Sequence, residues 1–219
     1  MIIKKYALLL ASGLMLSTSA WATDWDLSIL VGNCIGCHGP EGSSLGPATP
    51  TIAGLEEDTF VEAMEEFKEG ERPSTIMERI AKGYTQQEFE QMASYFSKQP
   101  FVRHTQEVDA QKAKKGHHLH RKYCEKCHED NGYTDHEGSG ILAGQWMPNL
   151  QFNLADFHAG VRNMPRKMKK RMQKMIKRYG ENSLENLVHF YGSQTRTDVK
   201  RDKDHDSDDH DSDDDSDSD

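Results

Sequence analysis

Asn33-Cys34-Ile35-Gly36-Cys37-His38 and Tyr123-Cys124-Glu125-Lys126-Cys127-His128 are the two stretches on which the reading of the whole chain turns. Their first cysteines lie 90 positions apart, and Ile52-Ala53-Gly54 and Leu142-Ala143-Gly144 recur at the same spacing. Two unrelated features sharing one offset mark an internal duplication, and the length of the period makes each copy domain-sized rather than a solenoid unit. In the first copy, 24–33 leads into the Cys motif and a Gly/Pro-rich loop covers 39–50. Helices are then expected over 58–69, with Phe60, Met64 and Phe67 on one face, and over 86–97, with Phe89, Met92, Ala93 and Phe96. The second copy suggests helices at 111–123, 154–161, 164–179 and 184–191. No stretch alternates as a strand would, so the chain is expected to be all-α. Pro100 breaks the preceding helix and the composition turns polar, which divides the body into domains at 23–100 and 101–197.

Cys-x-x-Cys-His, present twice, is the attachment signature of c-type haem. Two thiols three positions apart at a helix can each add to one vinyl group of a porphyrin. The His that follows then faces the iron as its proximal ligand. A covalently held haem also fills the core that a domain of under 90 residues struggles to build. A redox dithiol would follow a strand, and a zinc site usually draws its Cys pairs from closer together. Neither these nor plain disulfides explain a His after both pairs. Two covalently bound haem c groups are therefore expected, held by Cys34, Cys37 and His38 and by Cys124, Cys127 and His128.

The sixth iron ligand separates electron transfer from catalysis, because a Met thioether raises the potential and closes the iron to small substrates. Met77 lies 43 residues after Cys34, and Met168 lies 44 after Cys124. The repeat favours this pair, with Met164 as the rival to Met168; Met147, beside Trp146 and Pro148, reads as core. Bis-His ligation of the second haem is the other possibility. His117, His118, His120 and His136 are expected to be exposed, since the approach helix turns Leu119 and Tyr123 inward.

The ends stand apart from this body. Lys4 and Lys5, the apolar run 7–20 and the triplet Ala20-Trp21-Ala22 form the pattern of a signal peptide over 1–22, removed after Ala22. The run falls short of the roughly 20 residues a bilayer requires, although a retained anchor is the alternative. Export places the protein in the periplasm with no membrane span after cleavage. Residues 198–219 carry twelve Asp against Lys200, Arg201 and Lys203, so their charge of −9 equals that of the whole chain. Such a run repels itself and has nothing apolar to bury, and is expected to be a disordered acidic tail. Its His205 and His210 suggest loose metal binding less than a solubilising or partner-tuning role. The body is polarised as well. Arg162 to Arg178 includes nine basic residues and no acid, whereas Glu56 to Glu71 in the first copy is dense in acids. A basic helix can signal nucleic acid, but export and haem argue against it; opposite fields suit a carrier that meets partners.

These residues resemble the diheme class I cytochromes c and, more narrowly, the cytochrome subunit of flavocytochrome c sulfide dehydrogenase. The likeness runs over about 26–194. It includes Gly46-Pro47-Ala48-Thr49-Pro50-Thr51-Ile52-Ala53-Gly54, Ser74-Thr75-Ile76-Met77, Ile141-Leu142-Ala143-Gly144-Gln145-Trp146 and Phe190-Tyr191. The resemblance implies two tandem class I cytochrome c domains bound to an FAD-containing flavoprotein that oxidises sulfide, passing electrons to a soluble acceptor such as another cytochrome c. On this reading the chain is an electron-transfer subunit and no enzyme by itself. His38 and Met77 would ligate one iron, His128 and Met168 the other. Pro47 would supply the proline beside the proximal His, a place Glu137 takes in the second copy. A free diheme shuttle to a terminal oxidase, or a diheme peroxidase with one open iron, are the alternatives.

Overall fold

The computed structural model describes residues 22–135 and 138–196. The expected signal peptide (apart from Ala22), His136 and the acidic tail lie outside these residues. Within them the chain forms only helices and turns. The first half comprises α1 (Ala22–His38), α2 (Glu57–Glu69), α3 (Met77–Ala81) and α4 (Gln86–Phe96). The second comprises α5 (Ala110–Tyr123), the short α6 (Glu129–Gly132), α7 (Met147–Ala159), α8 (Arg166–Tyr179) and α9 (Asn182–Gly192).

The duplication is visible hydrogen bond by hydrogen bond. The carbonyl of Gly42 accepts from the amides of Ile52 and Ala53, and that of Gly132 accepts from Leu142 and Ala143. The Gly54 amide donates to Phe96 and the Gly144 amide to Tyr191, both at 2.8 Å. Ala53 and Ala143 are fully buried at these joints. Helices α2 and α7 start and stop 90 positions apart, each ended by a left-handed glycine, Gly70 or Gly160. Glycine meets no Cβ penalty there and lets the next amides close the last turn.

Each half has its own core. Leu30, Phe60, Met64, Phe89, Met92 and Phe96 fill the first; Leu119, Tyr123, Leu150, Met175, Leu187 and Phe190 belong to the second. A capping box between Thr85 and Glu88 starts α4, and Asp109 caps α5 by accepting from the amides of Gln111 and Lys112. Helix α5 crosses α9 closely at Gly116, where a Cβ would lie 2.6 Å from Phe190 Cβ and would run into the Asn186 carbonyl.

Helices α3, α6, α7 and α8 differ from the sequence expectation, α6 being absent from it. The segment expected at 154–161 is α7, which begins at Met147 because Pro148 in its first turn gives up only an amide that has no intrahelical partner. Conversely, α8 begins at Arg166 rather than 164: Pro165 is its N-cap, and the residue before a proline is disfavoured in helical geometry. Helix α3 has five residues, too few to show a period.

The halves are joined by more than the connecting segment. The Gln145 side chain accepts from the Thr51 amide and donates to the Thr51 carbonyl, both at 2.9 Å. Trp146 Nε1 donates to the Ser44 carbonyl, and its ring lies over Gly46. Asp135 accepts from the Glu56 amide and the Thr59 hydroxyl. Arg72 and Arg162, 90 positions apart, converge on Glu66 and on Asn153 Oδ1. Each stacks on its own phenylalanine, Phe67 or Phe157. Burial, and next the neighbouring Arg162 guanidinium, brings Arg72 down to about 10, so both remain cationic at neutral pH.

Candidate cofactor sites

In the first half, α1 carries the Cys motif to its own C-terminal end. Cys37 is exposed, Cys34 is half-buried, and neither is in a disulfide. Burial pushes the Cys34 thiol up to about 11, so it is held as S–H, the form that adds across a vinyl group. Cys34 Sγ lies 3.7 Å from Met92 Sδ. His38 is buried with Nδ1 2.8 Å from the Pro50 carbonyl oxygen. A carbonyl only accepts, so Nδ1 carries the proton and Nε2 keeps a lone pair for a metal. Burial lowers the His38 pKa, partly offset by the Pro50 hydrogen bond; the ring is neutral, as a ligand must be. The resemblance placed the proline beside the proximal His at Pro47. The backbone gives this place to Pro50, because the loop closes through Ser44 and Thr51 and brings the residue next to Thr51 over the imidazole.

The second half repeats the thiols but not the hydrogen bond. Cys127 is exposed and Cys124 half-buried, the latter likewise pushed up to about 11 by burial. His128 Nδ1 is buried without a hydrogen-bond partner among the described residues. The position matching Pro50 is Gly140, whose loop is tied back through the Gly140 amide to Asp135. Burial, then the nearby His120, lowers His128 to about 4, so this ring too is neutral.

Both donor sets fit a haem held by two thioethers and one imidazole. None of the four cysteines is in a disulfide, and each histidine ring is neutral, leaving a nitrogen lone pair for the iron. Among the described residues no cluster of three His, Cys, Asp or Glu suited to a metal ion occurs, which leaves the Cys pairs no zinc partners.

The methionines stand where the chain re-enters helix after each left-handed glycine. Met77 is the first residue of α3, half-buried against the first core. Met168 lies in the first turn of α8 and is half-buried. Met164 precedes α8 and packs against the second core, and Met147 is a buried core residue, as its neighbours suggested.

A cluster the sequence did not reveal backs the second motif. His117 and His118 are exposed, but His120, expected to be so, is fully buried. Its Nδ1 pairs with the Tyr191 hydroxyl at 2.9 Å, and its Nε2 with Glu125. The Tyr191 hydroxyl is also within hydrogen-bonding reach of the Cys124 thiol. Burial alone would raise Glu125, but the hydrogen bond to His120, its charge, and the Asn131 and Asp130 amides hold the carboxylate below its usual range. Position 30 in the first copy is Leu, so the repeat itself carried no hint of this network.

Comparison with known proteins sets these sites in context. No protein-family model matches the chain. It is 40% identical over 97 residues to the cytochrome subunit of sulfide dehydrogenase of Chlorobaculum tepidum, covering 41% of this chain and 87% of that one. It is 33% identical over 134 residues to cytochrome c4 of Thiocapsa roseopersicina, covering 58% of this chain and 65% of that relative. Its fold superposes on reduced cytochrome c4 of Pseudomonas stutzeri with a TM-score of 0.67, at 24% identity, over 77% of this chain and 97% of that one.

Proposed function

Because the chain belongs to the diheme class I cytochromes c and so takes part in electron transfer, we propose that it serves in the periplasm as the cytochrome subunit of a sulfide-oxidising flavoprotein complex. It accepts electrons from an FAD-bearing partner and delivers them to a soluble carrier such as another cytochrome c. The likeness to the Chlorobaculum tepidum subunit carries the choice of partner and donor. The apolar, basic-headed N-terminus supports export, and no helix among the described residues is long and apolar enough to cross a membrane.

When bound, each haem supplies a one-electron iron couple whose potential follows its axial ligands and surroundings. The chain's own residues set those surroundings. Cys34 and Cys37, and Cys124 and Cys127, tether the groups. The Pro50 carbonyl fixes the His38 tautomer and increases the basicity of Nε2. His128 lacks this support and instead lies near the His120–Glu125 pair, so the two halves offer unequal environments. We assign Met77 and Met168 as the sixth ligands. In support, each follows its left-handed glycine at nearly the same distance, Gly70 to Met77 and Gly160 to Met168. Met164 remains the rival.

The test is to purify the native protein under mild conditions and assay for bound flavin, then add sulfide. Co-purifying flavin and sulfide-dependent reduction of both haems support the proposal. A flavin-free preparation that sulfide leaves oxidised points to a free shuttle, and a high-spin haem in the oxidised protein to a peroxidase.

A further inference from the structure

Helix α8 is a cation-dense element with one buried edge. Met172 and Met175 enter the second core, while Lys167, Lys169, Lys170, Lys174 and Lys177 are exposed. No ion pair within the described residues engages any of these five lysines. The contrast with α5 is instructive, since there Lys112 is held by Glu185 at 2.6 Å and Asp109 caps the helix. Helix α8 has no acidic residue in its first turn and no side-chain cap. Its cationic side chains therefore add to the positive end of the helix dipole, where an anion is favoured.

The chain itself contains the anion. Residues 198–219 carry a charge of −9, which leaves the rest of the chain neutral. From Arg196 to the C-terminus the chain can span on the order of 70 Å, and α8 is only about 21 Å long. A tethered segment of this reach faces α8 at a local concentration in the millimolar range.

We propose that residues 198–219 dock on the exposed lysine face of α8 as an intramolecular electrostatic cover. A free acidic partner then reaches this face only by displacing the cover, and its association is set by that competition as well as by its own charge. The proposal does not depend on which flavoprotein or carrier the cytochrome serves.

The test uses the full holo-protein, reduced so that the haem irons are diamagnetic, with a gadolinium-chelate tag, which the reductant does not quench, attached at Ser212→Cys. The amide signals of residues 167–177 should lose most of their intensity. They should recover in about 0.5 M salt, where charge interactions are screened within a few Å. Recovery is likewise expected on addition of polyaspartate, and in the combined Lys169→Gln, Lys170→Gln, Lys174→Gln, Lys177→Gln variant. These lysines are exposed, and the circular dichroism of the variant checks its fold. Broadening centred on α5 or on the first domain would overturn the proposal, as would an absence of broadening. So would α8 broadening that persists in the Gln variant or in salt.

Discussion

Replacing Gly116 with Ala tests whether the α5–α9 crossing is as close as described. Two opposing effects are at work. Alanine in a helix interior is favoured over glycine by about 1 kcal/mol. Against this, the added Cβ would lie 2.6 Å from Phe190 Cβ and 2.7 Å from the Asn186 carbonyl carbon. The obstacle is largely backbone, so no rotamer change relieves it and the helices must part. Overpacking of this kind costs about 1–3 kcal/mol, and an immovable neighbour puts it at the upper end. The net expectation is a loss of about 2 kcal/mol, or roughly 4–8 °C in Tm for a chain of this size. Gly32 is the control, because a Cβ there meets nothing within 4 Å. Gly32→Ala should gain up to about 1 kcal/mol. Thermal unfolding of both holo-variants by far-ultraviolet circular dichroism, at matched haem content, gives the comparison. A Gly116→Ala protein as stable as the parent would refute the reasoning.

Four further outcomes are expected. Changing Cys124 and Cys127 together to Ser should leave one covalently held haem per chain, read by mass spectrometry; two would sink the assignment of the second motif. Met77→Leu and Met168→Leu should each remove part of the Met-to-iron charge-transfer absorption of the oxidised protein, and Met164→Leu should not; the reverse pattern in the second half makes Met164 the ligand. Gln145→Ala leaves the buried Thr51 amide and carbonyl without partners. It should cost on the order of 2–3 kcal/mol in denaturant unfolding, and an unchanged midpoint would contradict it. The Glu125 carboxyl is held below its usual range in the fold, so its stabilisation is present above about pH 4.5 and is lost as pH falls through the lower folded value. Glu125→Gln should therefore flatten part of the acid limb of the stability profile, and an equally steep limb would show that the pair with His120 contributes nothing.

The sequence disclosed whatever repeats or follows a short covalent rule. The Cys-x-x-Cys-His pairs, the joint at Ala53 and Ala143, and the faces of α2 and α4 could all be read from spacing. Hidden features depend on contacts between distant residues. Nothing local marks His120 as buried, because its partners are Tyr191, 71 positions on, and a carboxylate inside the Cys motif. Likewise the shift from Pro47 to Pro50 follows from how the loop closes on Thr51, which no residue type announces. The boundaries of α7 and α8 depart from the sequence pattern through one residue type, proline, which opens a helix at position 148 and delays one at 165.

The link between the halves has a consequence for inheritance. Gln145, Trp146 and Asp135 all reach from the second copy into the first, and their counterparts, Leu55, Glu56 and Leu45, are not side chains that could make the same bonds in return. At these three residues the symmetry of an ancestral duplication has become one-sided dependence, whereas Arg72 and Arg162 still reach across in both directions. A change in the loop from Ser44 to Thr51 must now be tolerated by residues about a hundred positions away. The two copies can no longer drift, be exchanged or be cut apart as independent modules, although each still has a core of its own.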